Sequence, residues 1–200
     1  VIAAVQQYRH MGSLYAPATI APDVKTKCRG LSAEVRRYLK PILKSAADKG
    51  VKAAFVKCYL LSKSLYGAGS WPELGQGLEI VVHRAIMRPF RAIADTGKAV
   101  SSQSSDVDVL NGLGMLTPSA MVRLLRLSMY TRVLQKGTVT LRCVLALGAS
   151  SASSWLRAVA NDVDAVVGLA VGSEYETMSS HRWIAAAKNA PTILLRAIVK

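Results

Sequence analysis

DVKTKCRGLSAEVRRYLKPILKSAADKG, residues 23–50, decides how this chain folds. At about 100° per residue, Val24, Cys28, Leu31, Val35, Tyr38, Ile42 and Ala46 fall on one face of a helix. Lys25, Arg29, Arg36, Lys40 and Lys44 fall on the opposite face. An apolar stripe backed by a cationic stripe predicts an amphipathic helix, one side in a core and the other in water. Asp23 is placed to cap its start, and Gly50 to stop it after about Asp48. Gly30 weakens the helix, Ser32 could cap a restart there, and Pro41 predicts a bend. One helix is favoured over two.

Downstream, Val51–Tyr66 reads as a second helix, with Phe55, Tyr59, Ser62 and Tyr66 in one stripe and Val56 and Leu60 beside it. The turn Tyr66-Gly67-Ala68-Gly69-Ser70-Trp71-Pro72 follows. Pro72 suits the first turn of the next helix, which runs to about Ala94. That helix has an apolar stripe (Val82, Ile86, Phe90, Ile93), a basic stripe (Arg84, Arg88, Arg91) and a bend at Pro89. Phe55, Tyr59, Val82, Ile86 and Phe90 are expected in the core, and Tyr66 and Trp71 as anchors of the turn.

Thr96–Ser105 (TGKAVSSQSS) reads as a linker. Beyond it, Asp106–Leu113 is a short helix. Thr117-Pro118 opens another, which runs to Gln135 with Gly137 as its stop. Thr138–Leu147 fits helix or strand. Ser154–Val171, Ser179–Asn189 and Pro191–Val199 read as the last helices. Upstream, Val1–Tyr15 reads as a short hairpin and Ala16–Pro22 as a connector. The expected fold is mainly α, a helical bundle with a short N-terminal β-hairpin. The expected division is 1–22, 23–95 and a helical extension over 106–200.

The chain has 200 residues, 51 % of them hydrophobic, which excludes wholesale disorder. Its formal net charge is +14. Residues 1–60 hold eleven Lys and Arg against three acids, so more than half of the excess sits in under a third of the chain. That clustering points to a polyanion, with a solvated face as the plainer alternative. Three cysteines, at 28, 58 and 143, fit reduced thiols and an intracellular setting, the nucleus included, better than a disulfide scaffold. The longest apolar stretch, Ala165–Gly172, falls far short of the ~20 residues that span a bilayer, and no membrane partner is expected. A first residue Val1 in what reads as mid-strand suggests a piece of something longer.

His10, His83 and His181 share no metal spacing with the cysteines. Gly67-Ala68-Gly69 lacks the third glycine and the strand of a dinucleotide fingerprint. Asp106/Asp108 and Asp162/Asp164 are each two residues apart, so on a helix they diverge; capping or solvation is the expected role. No catalytic residue is expected in this chain.

Several stretches together resemble one family. Tyr8-Arg9-His10-Met11-Gly12-Ser13 resembles the Tyr-Lys-Tyr-Leu-Gly motif that closes the palm of non-LTR retrotransposon reverse transcriptases. The basic helix after it resembles the segment leading into the thumb. Leu65-Tyr66-Gly67-Ala68-Gly69-Ser70-Trp71 is similar to the family's Leu-Tyr-Gly-Ala-Glu-Thr-Trp signature. Arg84–Ile93 resembles the Arg-rich segment that follows, and Arg123–Tyr130 a distal Arg-Leu-Arg-Tyr-Leu stretch. Met11 and Gly69 depart from the pattern, where Leu and Glu are frequent.

The resemblance implies the end of the palm, the thumb and a helical extension of an RNA-directed DNA polymerase. The catalytic carboxylates and their Mg²⁺ would lie upstream of Tyr8, in a palm and fingers with which this piece would assemble. Its implied partner is an RNA–DNA or DNA duplex. Tyr8, Met11 and Gly12 would grip the primer. Lys25, Arg29, Arg36, Lys40, Lys44, Arg84, Arg88 and Arg91 would contact phosphates without reading sequence. The alternative is a non-enzymatic basic helical module, a degenerate element remnant that binds nucleic acid or an acidic protein.

Overall fold

The structure, a computed structural model, describes residues 8–10, 13–15, 19–95, 104–141, 143 and 155–167. Among them the chain is mainly helical, as the periodicity predicts. Tyr8–His10 (β1) and Ser13–Tyr15 (β2) pair antiparallel along the backbone, with Tyr8 opposite Tyr15. Three residues a side is too little for an independently stable hairpin. Met11 and Gly12 lie outside the described residues, as do most of the 96–105 linker and residues 168–200.

Packing divides the chain into two compact units. The first is Val1–Gly67 with Leu74–Met121, and the second is Ala68–Glu73 with Val122–Lys200. The sequence divides at the linker instead. Helix α5 (Asp106–Gly112) belongs with the first unit because it packs on α4 (Gln76–Ala94).

In the first unit, α1 is one 24-residue helix, Ala21–Lys44. It starts two residues before Asp23, which is therefore not its cap. Pro22, with no N–H to offer, fits the first turn and moves the start upstream. Asp23 sits inside that turn, 3 % exposed, where a carboxylate complements the helix dipole. No break occurs at Gly30, and the Ser32 hydroxyl donates back to the Cys28 carbonyl at 3.0 Å. The helix ends at Lys44 and not near Asp48. Asp48 instead caps α2 (Lys49–Phe55), accepting from the Val51 N–H at 2.9 Å, so Gly50 lies inside α2.

Helix α2 runs on into a π-helical stretch, Val56–Leu61, and then α3, Ser62–Ser64. Gly67 turns the chain with φ at 79°, a left-handed conformation that suits glycine. Helix α4 starts at Gln76, four residues after Pro72. The core joins Val24, Leu31 and Val35 of α1, Ala53, Val56 and Leu60 of the second run, and Val82, Ile86, Phe90 and Ile93 of α4. They follow the apolar rows the helical period predicts on α4 and on the first half of α1; further along the α1 row Tyr38 and Ile42 are only half-buried, and Ala46 lies exposed beyond the helix end.

On the second run the predicted row is wrong. Phe55 is 40 % and Tyr59 42 % exposed, and Tyr66 is 62 % exposed, so none is a core anchor. The neighbouring row, Ala53–Val56–Leu60–Ser64, is the buried one. Its smaller side chains allow the helices to approach, and the aromatics are turned outward.

The second unit holds a 3₁₀ turn at Ala68–Ser70, a fully buried Trp71, most of α6 (Pro118–Lys136) and α7 (Trp155–Val167). Thr117 caps α6 as expected, accepting from the Ala120 N–H at 3.2 Å. The Trp155 indole N–H donates to the Gly69 carbonyl at 2.7 Å. A Cβ added at Gly69 would stand 2.5 Å from the Leu125 carbonyl oxygen on α6. The glutamate frequent at this point of the resembled signature therefore has no room here.

Candidate nucleic-acid interface

Two sets of cations stand out in the first unit. One set closes helix ends. Lys52, 7 % exposed, donates to the Leu43 carbonyl at 3.1 Å, in the last turn of α1. Lys49 donates to the Ala94 carbonyl of α4 at 2.8 Å. Lys27, 8 % exposed, donates to the Tyr66 carbonyl, and burial pulls its pKa down against the raising pull of Asp23. Each ammonium meets carbonyls that a helix end or turn leaves unpartnered.

The other set stands in water. Lys25, Arg29, Arg36, Lys40 and Lys44 are all exposed on α1, and among the described residues no ion pair involves them. Arg36, Lys40 and Lys44 follow at four-residue steps, about 6 Å of helix axis each. With Arg88 of α4 they rim an open groove of about 400 Å³ whose other lining residues are Val35, Leu39 and Leu43. No acid lines it. The sequence reading missed Leu39 and Leu43; their four-residue spacing beside Arg36, Lys40 and Lys44 was the available signal.

The other candidates part company. Arg84 is exposed on α4 and is not among the groove residues. Arg91 pairs with Asp106 and donates to the Ser104 carbonyl at 3.2 Å, so its guanidinium is spent holding α5 and the residue before its cap. His83 Nε2 lies 2.7 Å from the other Asp106 oxygen. The His83 hydrogen bond, with Arg91 beside it, holds the Asp106 carboxyl below its ordinary value. Asp108 completes a capping box with Ser105. The capping expected of this acid pair thus falls to Asp108, and Asp106 is an ion-pair partner. Met11 and Gly12 lie outside the described residues, and for Tyr8 only the backbone is described.

Among the described residues, no group of three His, Cys, Asp or Glu side chains could hold a metal ion. Burial pushes the Cys28 thiol up to about 11, so it stays protonated and unreactive near neutrality. No described helix is long and apolar enough to cross a membrane. No family model, no curated protein and no solved structure matches this chain.

Proposed function

We propose that this chain is the end-of-palm, thumb and helical-extension part of a retroelement reverse transcriptase, and that it holds a template–primer duplex through its basic thumb-like unit. The proposal rests on the ordered run of motifs from Tyr8 to Trp71 together with the groove. The groove is the observation that carries the binding part. Arg36, Lys40, Lys44 and Arg88 converge on one concave surface with no acid among them. A duplex strand offers one phosphate per ~3.4 Å of axis, so a cation every ~6 Å can meet a phosphate at each step. Contacts of this kind neutralise the backbone and set register without selecting bases.

In this reading Tyr8–His10 and Ser13–Tyr15 belong to the hairpin that meets the primer end, and Met11 and Gly12 belong to the same motif. Polymerisation would need the palm and fingers, whose carboxylates and Mg²⁺ would do the chemistry. This chain would be the clamp.

The test is the salt dependence of RNA–DNA heteroduplex binding. Log Kd should climb steeply with log salt, and each phosphate contact removed should reduce the slope by about 0.9. Lys40→Ala with Lys44→Ala should lower it by roughly two units. A flat slope, or one that the double substitution leaves unchanged, would refute the proposal. The apolar floor, Leu39 and Leu43, favours one second reading: a non-enzymatic module whose groove takes an acidic amphipathic protein helix. Acidic polypeptide that displaces heteroduplex and binds as tightly would select that reading.

A further inference from the structure

Tyr38 of α1, with Phe55 and Tyr59 of the second helical run, forms an aromatic cluster at the surface of the first unit. The Tyr59 ring centroid lies 5.6 Å from that of Tyr38, edge-on at 85°, and 5.2 Å from that of Phe55, tilted by 32°. Phe55 and Tyr59 are two-fifths exposed, and Val51, one turn before Phe55, is more exposed still. The fold already fills its core with the neighbouring row, so these rings contribute little to it. Grouped rings left in water mark an interaction surface.

Cations bracket the cluster. The Arg37 guanidinium lies 5.3 Å from the Tyr38 ring centroid. Lys63 continues the four-residue row of Val51, Phe55 and Tyr59 and is 57 % exposed. Glu34 accepts one of its hydrogens at 2.8 Å, which leaves two ammonium donors for another group. Tyr38 and Arg36 are two residues apart on α1, about 200° around the helix, so the cluster and the groove face different ways.

We propose that this cluster is a stacking platform for a single-stranded nucleic acid, with bases on the Phe55 and Tyr59 faces and phosphates at Arg37 and Lys63. Every base has a π-face, so such a platform selects an unpaired strand rather than a sequence. A duplex keeps its bases in its own stack and has nothing to offer these rings. An acidic peptide would use the cations and leave the rings idle. A single strand uses both. The site extends the chemistry of the molecule from a duplex to an unpaired strand and does not depend on the duplex reading.

The test compares fluorescein-labelled oligo(dT) with an abasic oligodeoxynucleotide of equal length, by anisotropy on the full chain at fixed salt. The abasic strand keeps the phosphates and loses the bases, and should bind about tenfold more weakly. Phe55→Leu and Tyr59→Leu keep apolar volume and remove the π-face. Each should weaken oligo(dT) binding about five- to tenfold, with thermal melting and heteroduplex affinity unchanged. Oligo(rU) in the same assay identifies the strand, and ring-dependent binding of either polymer sustains the proposal. Equal binding of the abasic and dT strands, or Leu variants that bind dT like the parent, overturns it and leaves the rings to a protein partner.

Discussion

On α1, Arg29, Arg36, Lys40 and Lys44 stand in water with no ion pair among the described residues. On α6, Arg126 is 5 % exposed and its Nη1 lies 3.4 Å from Asp162 of α7, while Arg123, on the rim, approaches the other carboxylate oxygen at 3.6 Å. Both helices carry arginines beside leucines at helical spacing. The difference comes from the neighbour. Arg36, Lys40 and Lys44 of the α1 stripe open onto a groove beside α4 where, among the described residues, no acid stands, whereas α7 brings Asp162 into the unit where α6 turns Arg126 inward. A guanidinium becomes a surface contact or a structural part according to where the nearest carboxylate is folded.

The sharpest way to break that comparison is Arg126→Met. Asp162 would stay buried without its nearest cation, at a cost of about 3–5 kcal/mol near pH 7. Urea denaturation followed by tryptophan fluorescence measures it, because Trp71 and Trp155 fall in the second unit and the first unit has no tryptophan among the described residues. Part of the loss should return on acidification, as Asp162 takes up a proton.

The parent protein should itself show a milder pH dependence. Burial pushes Asp162 up to about 6, against the pull of Arg126 and Arg123. The folded value lies above the ordinary one, so folding favours the protonated acid. The stability this adds is complete below about pH 4. It is lost as the pH rises through about 6. The expected difference is on the order of 2–3 kcal/mol between pH 4 and pH 7. Asp162→Asn should remove this component of the denaturation-versus-pH profile; a profile unchanged by it would mean that Asp162 is not desolvated.

Gly69→Ala drives a methyl against the Leu125 carbonyl and Met129, at a cost of about 1–3 kcal/mol in the same tryptophan signal. In the first unit, Asp48→Ala removes the α2 cap and should cost about 1 kcal/mol, read by circular dichroism. Lys40→Ala and Lys44→Ala should leave the melting temperature where it is and change only the salt slope of duplex binding. Melting that falls with them would mean that the α1 cations, like Arg126, are structural.

The helices, their apolar rows on α1 and α4, and the Thr117 cap were legible because period and capping chemistry are local. The start of α1 was misread because Pro22 and Asp23 are both good early-helix residues, and only the packed backbone chooses which turn comes first. The outward-facing Phe55, Tyr59 and Tyr66 were misread for a related reason. Two adjacent rows on that run are both apolar, and burial goes to the one that lets the neighbouring helices come close. Within the candidate interface, exposure of the α1 stripe followed from its periodicity. The groove did not, because α1 and α4 are far apart in sequence and Arg88 joins the rim only through their packing.

The order of residues by itself determined that this chain is helical, that its charge is concentrated near one end and that one helix separates cations from apolar side chains. Those properties follow from dihedral preferences and a 3.6-residue repeat, which act over a few neighbours. Tertiary structure alone decided which cations are free, which close helix ends, and which are matched to Asp106 or Asp162. Pairing a charge requires a partner within a few ångströms, and long-range packing supplies that partner.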